Sequence, residues 1–146
     1  MKSQIRMMAV AVLAAFASLP MLASAQTTVL YARVKVPFAF SYGTQHMPAG
    51  SYVLTLNDGV VTISGYPATA MALTDVSYDP AGVSASQVVF NRYGNRYFLE
   101  ELTIDGTGAE ISVPESETER LYTREWAMNH QAPSQTTLAL LNQPAR

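Results

Sequence analysis

Apolar and polar residues alternate from Leu30 to Tyr42. The even positions are Leu30, Ala32, Val34, Val36, Phe38, Phe40 and Tyr42, and the odd ones include Tyr31, Arg33, Lys35 and Ser41. A period of two over this length predicts extended chain with one buried face. Pro37 cannot donate a ladder hydrogen bond, so it marks an edge or a bend that splits the run in two.

The same alphabet continues downstream. Gly43-Thr44-Gln45 reads as a turn and Met47-Pro48-Ala49-Gly50 as a second break. Alternation resumes from Ser51 to Leu56. Asp58-Gly59 is a two-residue hairpin signal, because a type I′ turn needs positive φ at both central positions. Val60 to Ser64 is the return strand, broken by Gly65-Tyr66-Pro67. Ala68 to Val76 predicts one further strand, followed by a loop through Asp79-Pro80-Ala81-Gly82.

Gln87 to Tyr93 and Arg96 to Ile104 flank Gly94-Asn95, another hairpin signal. A two-residue loop there sets Arg92 opposite Tyr97, Phe90 opposite Leu99 and Val88 opposite Glu101. Val88, Phe90, Tyr97 and Leu99 then share the core face. Leu102 and Ile104 have the opposite parity to Leu99, so either the strand ends near Glu100-Glu101 or a bulge shifts its register there.

After a glycine-rich loop, Asp105 to Ala109, Ile111 and Val113 suit a last short strand that Pro114 stops. Ser116 with Glu119 forms a capping box, which predicts a helix from about Glu117 to Met128. Leu121, Tyr122, Trp126 and Met128 fall on one broad face, expected to pack on the sheet. From Gln131 to Arg146 the chain is polar and proline-bearing and reads as a loose tail.

The N-terminus carries a different pattern. Lys2 and Arg6 precede an apolar run from Met7 to Leu19, Pro20 ends it, and Ala23-Ser24-Ala25 is an A-x-A cleavage site before Gln26. That is the layout of an export signal, residues 1–25, and its apolar run is short for a membrane span. Export puts the β domain, residues 26–130, in the periplasm or outside the cell. The remaining 121 residues suit one domain with one core. Seven Lys and Arg then face eleven Asp and Glu, a formal charge of −4. An acidic chain is ill suited to nucleic acid, and no polybasic segment serves anionic lipid. The absence of cysteine excludes disulfides, a thiol nucleophile and Cys-ligated metal.

Candidate chemistry is sparse. His46 lies beside a turn and His130 follows the helix, without metal-ligand spacing, and both read as solvent-facing. Glu100 and Glu101 are adjacent, so in a regular strand they point to opposite faces and cannot act as an acid/base pair; a bulge would let them approach. No serine occupies a G-x-S-x-G elbow. Asp105-Gly106-Thr107-Gly108 is faintly like a calcium loop but lacks the third acidic ligand and the distal glutamate. The densest polar-aromatic cluster is the hairpin tip, where Arg92, Tyr93, Arg96 and Tyr97 read as a contact surface on a rigid arm. The competing reading is that they zip the hairpin, with Arg92 stacked on Tyr97.

Four segments occur in a recognisable order: V-P-F-A-F (Val36 to Phe40), M-P-A-G-S-Y (Met47 to Tyr52), V-V-F-N-R-Y-G-N-R-Y-F-L (Val88 to Leu99) and E-S-E-T-E-R-L (Glu115 to Leu121). From Val34 to Leu121 the chain resembles a group of small exported β proteins from Gram-negative soil bacteria. That group has a PF-x-F … LPAG-x-Y … FNRYG-x-x-YFL … S-x-x-ER-x-L layout. Met47 stands where the group has Leu. The resemblance implies a fold type and an address, and no chemistry.

The fold expected is mainly β, a small antiparallel sandwich or flattened barrel of about seven to eight strands with one C-terminal helix. The function expected is an exported, non-catalytic binding or structural module. Its target classes are glycans, envelope proteins or further copies of itself. Neither cofactor nor metal is called for, nor stable membrane insertion after cleavage. The alternatives are a small outer-membrane β-barrel and an unrecognised hydrolase.

Overall fold

The computed structural model describes residues 30–79, 85–105 and 107–142. The expected export signal, residues 80–82 of the expected loop after Tyr78, and Gly106 lie outside the described residues. Within them the chain is mainly β, built as two sheets with one helix.

The first sheet comprises β12 (Leu141–Asn142), β1 (Leu30–Val36), β4 (Gly50–Asn57), β5 (Val60–Gly65) and β6 (Thr69–Leu73), in that order. The second comprises β11 (Ser134–Ala139), β8 (Gln87–Tyr93), β9 (Arg96–Ile104), β10 (Ala109–Ser112) and β7 (Asp75–Tyr78). A small hairpin, β2 (Phe40–Tyr42) and β3 (Gln45–Met47), joins the second sheet where β2 runs parallel to β9, with Ser41 beside Phe98. The helix, α1, spans Glu117–Met128.

The alternation from Leu30 does what its period requires. Ala32, Val34, Val36, Phe40 and Tyr42 are buried, while Tyr31, Arg33 and Lys35 face solvent. The run divides around Pro37, so its second half leaves the first sheet for the second. Phe90 sits at the centre of the core, with Phe38 and Phe40 edge-on to it, each at 5.2 Å between ring centroids. At Asp58-Gly59 both φ angles are positive, 48° and 76°, as the type I′ turn demands.

The expected single strand from Ala68 to Val76 is two. β6 pairs with β5, and β7 pairs with β10 in the other sheet. The crossing is at Thr74, whose N–H and hydroxyl both donate to the Gly59 carbonyl, at 2.8 and 3.0 Å. The loose tail expected from Gln131 is also corrected. β11 pairs along β8 from Ser134 to Ala139, and β12 pairs with β1. Leu140, between them, is buried in the core, and its N–H donates to the Ser86 carbonyl at 2.9 Å. With the run divided at Pro37, three segments thus pass from one sheet to the other, and division at such crossings raises the strand number above seven or eight.

The β8–β9 hairpin has the expected pairing at its tip, Arg92 with Tyr97 and Phe90 with Leu99. Beyond that Val89 faces Glu101 and Val88 faces Leu102, so Glu100 is the extra residue of a bulge. The bulge returns Leu102 and Ile104 to the core, where both are buried. It coincides with a change of neighbour, because β9 runs beside β2 at Phe98 and beside β10 from Glu101 onward.

Candidate functional site

Helix α1 begins as the capping box prescribes. The Ser116 hydroxyl accepts the Glu119 N–H at 3.1 Å. Its contact face differs from the expected one. Leu121 and Met128 are 60 % and 76 % exposed, whereas Glu119, Tyr122, Thr123 and Trp126 face the sheet. The outer face of β8 explains the choice. It presents Asn91 and Tyr93, and these need polar partners that Leu121 and Met128 lack. Asn91 Nδ2 donates to Glu119 Oε1 at 3.2 Å, and the Tyr93 hydroxyl meets Thr123 Oγ1 at 2.9 Å.

The four residues expected to project from the hairpin tip divide accordingly. Tyr93 is 3 % exposed, lies under α1 and has Trp126 edge-on at 5.8 Å. Burial raises its hydroxyl pKa above the usual tyrosine value. Tyr97 is half-buried, with Phe38 stacked on its ring at 3.9 Å and Arg92 over the ring at 5.5 Å. Arg92 is exposed and also donates from Nε to the Gly94 carbonyl at 2.7 Å. Arg96 is exposed, with its guanidinium over Tyr122 at 5.3 Å. The tip is therefore held by α1 on one side and by Phe38 on the other, and is not a free arm. The Tyr93 ring is enclosed within the fold, while the half-buried Tyr97 ring has one face covered by Phe38.

Two members of the set do border a cleft. An open depression of about 260 Å³ lies between the β2–β3 hairpin and the start of β9. It is lined by Ala39, Phe40, Ser41, His46, Asn95, Arg96 and Tyr97. Ser41 and His46 are directly opposed across the β2–β3 ladder. Tyr42 fixes that hairpin to the first sheet. Its buried hydroxyl donates to the Val61 carbonyl at 2.9 Å, and burial raises its pKa strongly. Ser41, His46 and Asn95 were not legible as site residues. Asn95 adjoins Arg96 in the hairpin turn, but the parallel contact of β2 with β9 that brings Ser41 and His46 to Arg96 has no local sequence signal.

The adjacent acids separate. Glu100, at the bulge, accepts from Gln135 Nε2 at 3.0 Å. Burial, then Glu110 and Glu100, push the Glu101 carboxyl upward. Among the described residues no group of three His, Asp or Glu is placed to hold a metal. No family model, curated protein or solved structure matches the chain.

Proposed function

We propose that the mature protein is an exported, non-catalytic binding module whose cleft takes a small polar ligand bearing an anionic group. One observation carries this reading. On a chain with more acidic than basic residues, the cleft lining holds Arg96 and His46 and no carboxylate. An arginine fork, an imidazole, a hydroxyl and an amide together suit a carboxylate or similar oxyanion. The β scaffold favours binding, because the β2–β3 ladder with the Tyr42 bond fixes one wall and the β8–β9 ladder fixes the other before a ligand arrives. The export signal supplies the address, as does the resemblance in segment order. The direction of the apolar faces supports a water-borne module over a lipid-facing barrel. Phe40, Met47, Phe90 and Leu102 turn inward, and Arg33 and Lys35 turn outward.

The test is an amide chemical-shift titration with glucuronate, and with glucose as the uncharged control. Saturable shifts at Ser41, His46, Asn95 and Arg96 with glucuronate alone are expected, and Arg96→Ala abolishes them. Equal response to both sugars, no response, or a response that survives Arg96→Ala overturns the reading.

The opposed pair Ser41 and His46 favours a second reading, ester or amide hydrolysis. No hydrogen bond joins the two side chains in this structure, although such bonds often tighten only with substrate. Turnover of a chromogenic ester that is lost in Ser41→Ala would establish it.

A further inference from the structure

The one buried side chain of α1 is an acid. Glu119 is 4 % exposed and lies in the first turn, against β8. It accepts from Asn91 Nδ2 at 3.2 Å and from the Ser116 backbone N–H. The charged groups that bear on it are Glu115, from the segment leading into the helix, and Glu100, from the β9 bulge. The neutral polar groups nearby are Tyr93 and Thr123, which bond to each other, and among the described residues no cation bears on Glu119.

The rest of the helix contact is aromatic and narrow. Tyr122 lies 5.7 Å from Phe98, and Trp126 stands edge-on to Tyr93. Leu121 and Met128, the side chains best able to anchor a helix, face water. A charge at Glu119 therefore acts against a helix held by Tyr122 and Trp126 on Tyr93 and Phe98, with no aliphatic anchor beside them.

We propose that α1 is a pH-responsive latch, lying closed on β8 and β9 while Glu119 is protonated and loosening from them when it ionises. Burial first, then Glu115 and Glu100, push this carboxyl up to about 7, against the opposing bonds from Asn91 and Ser116. Loosening uncovers Tyr93 and Phe98 and takes Tyr122 from beneath Arg96, so the latch alters one wall of the cleft. It goes beyond the binding reading and holds whether or not the cleft takes an anion.

Trp126 is the only tryptophan in the chain and reports on the latch directly. In a fluorescence titration of the full chain across roughly pH 5 to 9, its emission should shift reversibly to the red with a midpoint near neutrality, while strand circular dichroism holds constant. Glu119→Gln should remove the transition. His46→Gln and His130→Gln should keep it, a necessary control because histidine titrates in the same range. A flat wild-type profile overturns the proposal. So does a transition that persists in Glu119→Gln or vanishes with either histidine. If Glu119→Gln does not fold, Asn91→Asp serves instead. It sets a fourth acid beside Glu119 and must raise the midpoint, and an unmoved or lowered midpoint rejects the latch.

Discussion

The Tyr52 ring lies over Gly65, its partner across the β4–β5 ladder, so closely that a Cβ on Gly65 would stand 2.5 Å from two ring carbons. Tyr52 is 2 % exposed, edge-on to Phe40 at 5.4 Å, and bonded through its hydroxyl to the Pro48 carbonyl. It has nowhere to retreat. Gly65→Ala should therefore destabilise the protein by about 1–3 kcal/mol, as overpacking a filled core does. The urea midpoint measures it, and a midpoint equal to wild type would mean that the ring moves freely.

The passage of the C-terminal segment between sheets gives a second expectation. Leu140 is buried at the crossing, with β11 on β8 before it and β12 on β1 after it. Leu140→Ala should cost about 2–5 kcal/mol. A chain ended at Pro133 should fail to fold, because it strips β8 of a neighbour and opens the core. Full stability of the shortened chain would restore the loose-tail reading of residues 131–146.

These elements show what the sequence discloses. A strand with one apolar face, such as Ala32 to Val36, declares itself by period, whereas Val88, Val89 and Phe90 are all buried and β8 is marked by the Gly94-Asn95 turn instead. The bulge at Glu100 was legible as one of two options, because the apolar parity flips beside it. The tail hides because β11 is an edge strand. Its inward positions are Thr136 and Leu138, and the residues between are Gln135, Thr137 and Ala139, so contrast between the faces is slight. The helix face misleads for a related reason. Hydrophobicity favours Leu121 and Met128, but Asn91 on the sheet selects Glu119. The cleft was half legible, since Arg96 and Tyr97 stood out locally while Ser41 and His46 reach them only through a non-local contact.

Glu119 also makes global stability depend on pH. Its carboxyl is held at about 7 in the folded chain and titrates at 4.5 when free. The unfolded chain therefore loses this proton first. The contribution falls as pH rises from about 4.5 through about 7, and stays low above that. Urea midpoints should decline across this window, and Glu119→Gln should flatten the decline. An identical slope in the variant would assign the pH dependence to other groups.

The hairpin tip separates a structural tyrosine from surface arginines. Tyr93 is enclosed by Trp126, Tyr122 and Phe98, and its hydroxyl is spent on Thr123. Tyr93→Ala should cost about 3–5 kcal/mol, the range for deleting a buried ring. Tyr93→Phe removes only the hydrogen bond and should cost about 1 kcal/mol. Arg92→Ala gives up an exposed cation–π contact with Tyr97 and should cost about 0.5–1 kcal/mol. Arg96→Ala is expected to behave like Arg92→Ala in stability while differing in ligand response, because Arg96 borders the cleft and Arg92 does not. Denaturant midpoints for the four variants decide the matter. If Tyr93→Ala proves as mild as Arg92→Ala, the helix is not seated on Tyr93 in solution and the tip is a projecting arm after all.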